Sequence, residues 1–407
     1  MEPVTFSPPL YKQRYQFVID LVKKYKPKKV VDLGCADCTL LWKLKFQTCI
    51  EELAGVDINR AVITEKMYRL SPLPCEYLQP SERPLTIKLY QGSVAEKDPC
   101  TLGFDLASCI ELIEHLETPV LEKFSEVLFG YMTPAIVIVS TPNAEFNRLL
   151  PGLNGFRHKD HKFEWTKEEF QNWAQDVCSS YNYTVEFTGV GKGPPGTEDV
   201  GFCTQCGVFT RSYPSEGSFT ADSCRDTEHS YKSIYNVVYP NLCDGTILRN
   251  TVISEVIYWA ESIRKNMLEY SQEDETVDDN HSYQASSKSF PSVSNISQET
   301  CSTEKQALSD TRGDNEAYKE ENTISIPLAK LFSFSRVQKL CGSLDRLKGI
   351  LSETSQVELN SDSTAMILSA AEDIEEQSEA CWDTSCLELG DPLAVCVEDW
   401  DEELCDS

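Results

Sequence analysis

Two short stretches of this 407-residue chain concentrate side chains able to hold a cation or move a proton. The first is Glu111-Leu112-Ile113-Glu114-His115. On a helix, Glu111, Glu114 and His115 would stand at i, i+3 and i+4, which share one face. Two carboxylates that close repel each other unless a cation lies between them. Carboxylate and imidazole together suit a hard or borderline divalent ion such as Mg²⁺ or Mn²⁺. Acids at a helix start also favour the N-terminal dipole, which would explain this stretch without a metal. The second stretch, Phe156-Arg157-His158-Lys159-Asp160-His161-Lys162-Phe163-Glu164-Trp165-Thr166, shifts the balance toward a metal. It carries two of only five histidines in the chain, His158 and His161, and either would complete a site with the first cluster. Arg157, Lys159 and Lys162 alternate there with Phe156, Phe163 and Trp165, a mixture suited to phosphate contact and base stacking. Thr166 and Glu169 also read as a capping box opening a helix.

These clusters need a frame. Strand-like apolar runs over 28–33, 52–57, 85–91, 104–110 and 135–140 alternate with helical patterns at 39 onward, 61–70, 111–116 and 120–131. That alternation predicts a parallel sheet with crossover helices, an α/β Rossmann-like arrangement. Runs at 183–190 and 202–211 predict an antiparallel hairpin closing one sheet edge, and helices are expected over 166–178 and 244–267. Val30-Val31-Asp32-Leu33-Gly34-Cys35-Ala36 puts a glycine turn after the first strand, where open α/β folds bind ligands. The three-glycine dinucleotide fingerprint and the P-loop lysine are both missing, which favours a ligand without a pyrophosphate. Asp57 ends the second strand, where an acid accepts both ribose hydroxyls. Ser93, after the third strand, is placed to meet an adenine edge. Asp32, Gly34, Asp57 and Ser93 together point to S-adenosylmethionine as the cofactor.

Composition bounds the rest. The formal net charge is −28, yet residues 271–407 carry 30 acids against 9 Lys and Arg, leaving a net of only −7 for residues 1–270. The acidity therefore does not exclude a nucleic-acid partner. Residues 269–407 are rich in Ser, Glu, Gln, Asp and Asn. They read as a mostly disordered acidic tail after a 1–268 catalytic domain, with one short helix over 325–351. Lys23, Lys24, Lys26, Lys28 and Lys29 form the densest basic run and the expected footprint of a nucleic-acid partner. No run of 18 apolar residues predicts a membrane span. Seventeen dispersed cysteines without an export signal predict reduced thiols. Cys203-Thr-Gln-Cys206 leaves open a non-catalytic, zinc-stabilised RNA-binding scaffold. A small-molecule or protein methyltransferase on the same fold is the other alternative.

The motifs DLGCADC, ELIEHLE and FRHKDHKFEWT, with Phe6-Ser7-Pro8-Pro9-Leu10-Tyr11-Lys12-Gln13-Arg14-Tyr15 before them, resemble the Hua-enhancer family of small-RNA 2′-O-methyltransferases over residues 5–265. The length is similar to the animal form, which acts on Piwi-interacting RNAs. The resemblance implies methyl transfer from S-adenosylmethionine to the 2′-hydroxyl of a 3′-terminal ribose. It implies a divalent cation on Glu111, Glu114, His115 and His161, with His161 favoured over His158 because it lies in the DHKFEW portion. It implies cofactor contacts from Asp57 and Ser93. A single-stranded small-RNA 3′ end, a Piwi-class protein presenting it, a monomeric enzyme and a cytoplasmic setting in germ-cell RNA granules follow as expectations. His158 or a metal-binding imidazole is the expected proton acceptor.

Overall fold

The longest apolar run, over β5 (Ile136–Pro142), is buried at all seven positions, which requires cover on both sheet faces. The computed structural model describes residues 4–212, 229–274, 316–320 and 322–370 and divides between Asp244 and Gly245 into two units. In the first unit, β1 (Lys29–Leu33), β2 (Glu52–Asp57), β3 (Thr86–Gln91), β4 (Leu106–Ile110) and β5 run parallel. β6 (Tyr183–Lys192) pairs antiparallel with β7 (Phe202–Arg211), which pairs antiparallel with β5. The order is β6-β7-β5-β4-β1-β2-β3-β8, so the predicted hairpin does close one edge. β8 (Lys232–Val238) closes the other edge, antiparallel to β3, and was not anticipated. Its lead-in is anchored by Asp98, whose carboxylate accepts the Tyr231 backbone N–H at 2.9 Å.

Helices cover both faces, as the crossover connections demand. α1 (Leu10–Tyr25) and α2 (Thr39–Leu44) bury Val18, Val22, Leu40, Leu41 and Leu44 on one side. After the short helices α3 (Arg60–Lys66) and α4 (Pro74–Leu78), α5 (Thr118–Ser125) and α6 (Lys167–Tyr181) bury Leu121, Phe124, Phe170 and Ala174 on the other. The Thr166/Glu169 capping box forms as predicted and sets where α6 begins. Because five strands are parallel, their carboxyl ends share one edge. Gly34, Asp57, Ser93 and Glu111 all follow those ends, which is how the sheet assembles a site.

The second unit corrects the expected boundary and part of the expected disorder. α7 (Gly245–Asp274) spans residue 268, so a boundary there would cut a helix. β9 (Tyr318–Glu320), β10 (Thr323–Pro327), β11 (Glu358–Leu359) and β12 (Ala365–Ser369) form a four-stranded antiparallel sheet in the order β11-β12-β10-β9. Where one short helix was expected over 325–351, the chain forms the end of β10, then α8 (Leu328–Phe332), α9 (Ser335–Cys341) and α10 (Leu344–Ser352). Gly342 ends α9 in the left-handed conformation, and Ser343 caps α10 by accepting from Arg346 N–H. Val252, Ile253, Val256 and Ala260 make a helical stripe on α7 that packs with Ile324, Ile326, Leu331 and Leu347. The rest of the expected tail, 275–315, 321 and 371–407, lies outside the described residues.

This core gives a direct check. Leu347→Ala should cost about 2–5 kcal/mol of stability in the second unit. Hydrogen exchange on the full chain should show amide protection falling across 323–369. Unchanged exchange there would mean the segment has no packed core.

Candidate active site

The glycine turn brings the two halves of the site together. Gly34 has φ +77°, and a Cβ there would come 2.8 Å from Leu112 Cδ1. Only glycine lets the β1 turn sit against the segment leaving β4. Asp57 ties the turn to β2: its Oδ2 accepts from Ala36 N–H at 3.0 Å and its Oδ1 from Asn59 N–H at 2.8 Å. Each oxygen keeps further acceptor capacity for a ligand. Ser93 Oγ accepts from Ala95 N–H, and its carbonyl accepts the Tyr231 hydroxyl at 2.8 Å. Asp32 lies under the turn, 3% exposed, and accepts from Ser108 Oγ on β4 at 2.6 Å. Burial pushes its carboxyl up to about 7; the Ser108 hydrogen bond opposes this, and Asp57 and Asp37 add to it.

The two acids lie near each other and the three imidazoles form a group of their own, neither set by a helix. Glu111 leaves β4 at φ +48°, and Ile113–His115 is a single 3₁₀ turn. The α-helix waits until Thr118, with Pro119 in its first turn. Side-chain contacts, rather than helical spacing, set the cluster. Glu111 Oε1 accepts from Ser140 Oγ at 2.8 Å, and Oε2 lies 3.5 Å from the Arg14 guanidinium of α1. Glu114 is fully buried; its Oε2 accepts from Thr141 Oγ1 at 2.9 Å, whereas its buried Oε1 has no hydrogen-bond partner. Burial, with Glu111 nearby, holds the Glu114 carboxyl well above its usual range.

The loop at 156–166 closes over this corner, and Lys162 N–H donates to the Glu114 carbonyl at 2.7 Å. The His115 ring centre lies 4.9 Å from that of His161 and 5.9 Å from that of His158. Each ring offers one nitrogen within 4.8 Å of the other two, the metal-ligand group found among the described residues. Burial and the two neighbouring imidazoles lower the His115 pKa. His161 Nδ1 is 2.7 Å from Glu164 Oε1. Burial alone would raise Glu164, but hydrogen bonds from His161, Arg157 N–H and Asn147 hold it below the usual carboxylate range. Three adjacent imidazoles fit a divalent cation, whereas the Glu111 and Glu114 carboxylates lie outside that group of mutually close ligand atoms. His158 joins His115 and His161 in that group, while Glu111 is engaged by Ser140 and Arg14.

Several expected roles change. Arg157 is not free for phosphate: its guanidinium donates to the Asn143 and Cys203 carbonyls and to Asn147 Oδ1. Phe163 and Trp165 stack at 4.3 Å and pack against the core, leaving Phe156 as the exposed aromatic. The lysine run is on the wrong edge for the expected footprint. Lys28 precedes β1 and pairs with Glu51, and Lys29 opens β1 and pairs with Glu52. Both therefore lie at the amino end of the parallel strands. Cys203 and Cys206 stand three apart on β7, so they point to opposite faces. Both are buried, and burial lifts the Cys203 thiol to about 11, which disfavours the thiolate zinc needs.

Comparison with known proteins settles the family. The chain is 52% identical to a small RNA 2′-O-methyltransferase of Gallus gallus, covering 90% of this chain and 95% of that one. It is 45% identical to the same enzyme of Xenopus tropicalis, over 90% of this chain and 98% of the relative. The chain belongs to the small RNA 2′-O-methyltransferase family. Residues 246–370 match the family model for the HENMT1 C-terminal domain, which accounts for the second unit. A crystal structure of small RNA methyltransferase HEN1 aligns at 32% identity, covering 59% of this chain and 28% of that one, with a TM-score of 0.49. The protein is thus an S-adenosylmethionine-dependent RNA 2′-O-methyltransferase.

In this methyltransferase Arg14, Ser140, Thr141 and Glu164 hold the site together, although residue type and spacing gave none of them a role. Ser140 was legible only as the end of an apolar strand, and Thr141 lies just past that run. Glu164 was visible as an acid three residues from His161, a spacing that turned out to be a direct contact.

Asp32 supplies a pH test. Its pKa rises from an ordinary 3.8 to about 7 in the fold, so the folded chain holds a proton the unfolded chain has released. That stability is fully present below about pH 4 and is lost as pH rises through 7. Asp32→Asn removes the loss. Its melting temperature relative to the native enzyme should therefore rise between pH 5 and pH 8. A difference that stays flat across that range would show that Asp32 is ionised in the fold.

Proposed function

We propose that the enzyme transfers the methyl group to the 2′-hydroxyl of the 3′-terminal ribose of small single-stranded RNAs, Piwi-interacting RNAs among them, with the help of a divalent cation. The observation that carries this reading is the convergence of His115, His158 and His161, on the segment that also buries the unpartnered Glu114 Oε1. Glu111, Glu114, His115 and His161 are the proposed ligands, with His158 at hand beside them. A bound Mg²⁺ or Mn²⁺ supplies a Lewis acid that lowers the pKa of a ligated hydroxyl. The end selection follows from chemistry, since only a free 3′-terminal ribose offers two vicinal hydroxyls to such a site.

The chain's own residues do the positioning. Thr141 fixes one oxygen of Glu114, and Ser140 and Arg14 fix Glu111. Asp57 and Ser93 are the proposed cofactor contacts at the ends of β2 and β3, and Gly34 and Asp32 shape the turn between them. His158 is about a third exposed, and its Nδ1 accepts from Asp160 N–H at 3.3 Å. Its exposure would let it pass a proton to water, and taking one requires Nδ1 to give up the Asp160 N–H. The reading extends to a monomer working in the cytoplasm, in germ-cell RNA granules, on RNA presented by a Piwi-class protein. The eleven described cysteines are all unpaired, which supports a reducing setting.

Glu114→Gln keeps the side-chain shape and removes the charge. Methyl transfer should fall by about 100-fold or more, while S-adenosylmethionine affinity changes little. Near-native turnover in that variant rules out the cation role. Separately, a short RNA should be methylated while its 3′-phosphorylated and 3′-terminal 2′-deoxy counterparts are not. Equal transfer to all three removes the terminal-diol reading.

A further inference from the structure

We infer that Glu164 is a positioning residue that orients His161 and, through its negative charge beside Nδ1, strengthens the ring as a cation ligand, an inference that rests on the cation reading above. An ionised carboxylate can only accept, so His161 Nδ1, 2.7 Å from Glu164 Oε1, carries the proton and donates it. The free lone pair is then on Nε2. The pair has little room to turn, since the two side chains are 8% and 1% exposed.

Glu164 is itself held from two further directions. Its Oε1 also accepts from Arg157 N–H, and its Oε2 accepts from Asn147 Nδ2 at 2.6 Å. Asn147 Oδ1 accepts from Arg157 Nε at 2.6 Å. The arrangement closes the 157–164 loop as well as orienting the ring, so these two roles must be separated. A charged partner on the remote nitrogen raises a histidine's basicity as a ligand, and losing such a partner typically costs about 10- to 100-fold in metal affinity. Loop closure needs only the hydrogen bonds.

The Asn147 contact provides the separation. Glu164→Gln alone sets an amide donor against the Asn147 amide donor. Combined with Asn147→Asp, that contact again pairs a donor with an acceptor, and Arg157 Nε keeps its acceptor. The loop's hydrogen bonds are retained, while the negative charge moves from the His161 side to position 147.

The test is Mn²⁺ binding to the full chain without RNA, followed by electron paramagnetic resonance. Glu164→Gln should bind about 10- to 100-fold more weakly than the native chain. The Glu164→Gln/Asn147→Asp chain should regain the native melting temperature and S-adenosylmethionine affinity yet stay at least about 10-fold weaker for Mn²⁺. Native Mn²⁺ affinity in the double variant would show that the charge on Glu164 adds nothing to His161 as a ligand, and would overturn the inference. Nitrogen chemical shifts of the native His161 ring offer a check that needs no variant: Nδ1 should be protonated and Nε2 bare, and the reverse tautomer overturns it. If the native chain binds Mn²⁺ no better than Glu114→Gln does, the cation reading itself fails, a result distinct from native binding that ignores Glu164.

Discussion

Glu114 lies in the interior with Thr141 on one carboxylate oxygen and no partner on the other. Taking a carboxylate out of water into such a place costs several kcal/mol unless a proton or a cation neutralises it. Much of the neighbouring structure follows from that. β4 and β5 must end together so that Ser140 and Thr141 meet Glu111 and Glu114. The loop carrying two of the three imidazoles must return to the same corner, which the Lys162 amide ensures by bonding to the Glu114 carbonyl. The glycine at 34 must lack a Cβ because Leu112, between the two acids, packs against it. Cofactor turn and acid cluster are therefore one construction rather than two neighbouring motifs.

Much of the sheet was legible in the sequence because β1, β2, β4 and β5 are buried on both faces and are rich in consecutive apolar residues. β8 was not, since its burial alternates weakly and its sequence, Lys-Ser-Ile-Tyr-Asn-Val-Val, carries polar residues suited to an edge. Residue types identified the acids and imidazoles of the site, and the geometry inferred for them was wrong in one respect. Helical spacing suggested a shared face, but the chain turns sharply at Glu111 and the residues meet through tertiary contacts. Arg157 shows the limit of composition: a basic residue among aromatics suggested phosphate, yet its donors are absorbed by backbone carbonyls and Asn147.

The second unit was hidden by averaging. Its strands and helices lie in a stretch whose surroundings are acidic and polar, so the mean composition over 269–407 describes the flanks more than the folded part. The signals were local. Ile324 and Ile326 alternate on a strand, Gly342 and Ser343 mark a stop followed by a start, and Leu347 and Leu351 fall one helical turn apart. The helix assigned to the catalytic domain supplies the other side of that core.

Glu111 occupies the left-handed region at φ +48°, where glycine or asparagine rests with less strain and glutamate costs about 1–2 kcal/mol. Its carboxylate nevertheless holds Ser140 and faces Arg14. Backbone preference and chemical demand therefore point to different residues at this position. The chain sits at a local compromise between stability and function, and changes that relax the backbone at 111 are changes that remove the carboxylate.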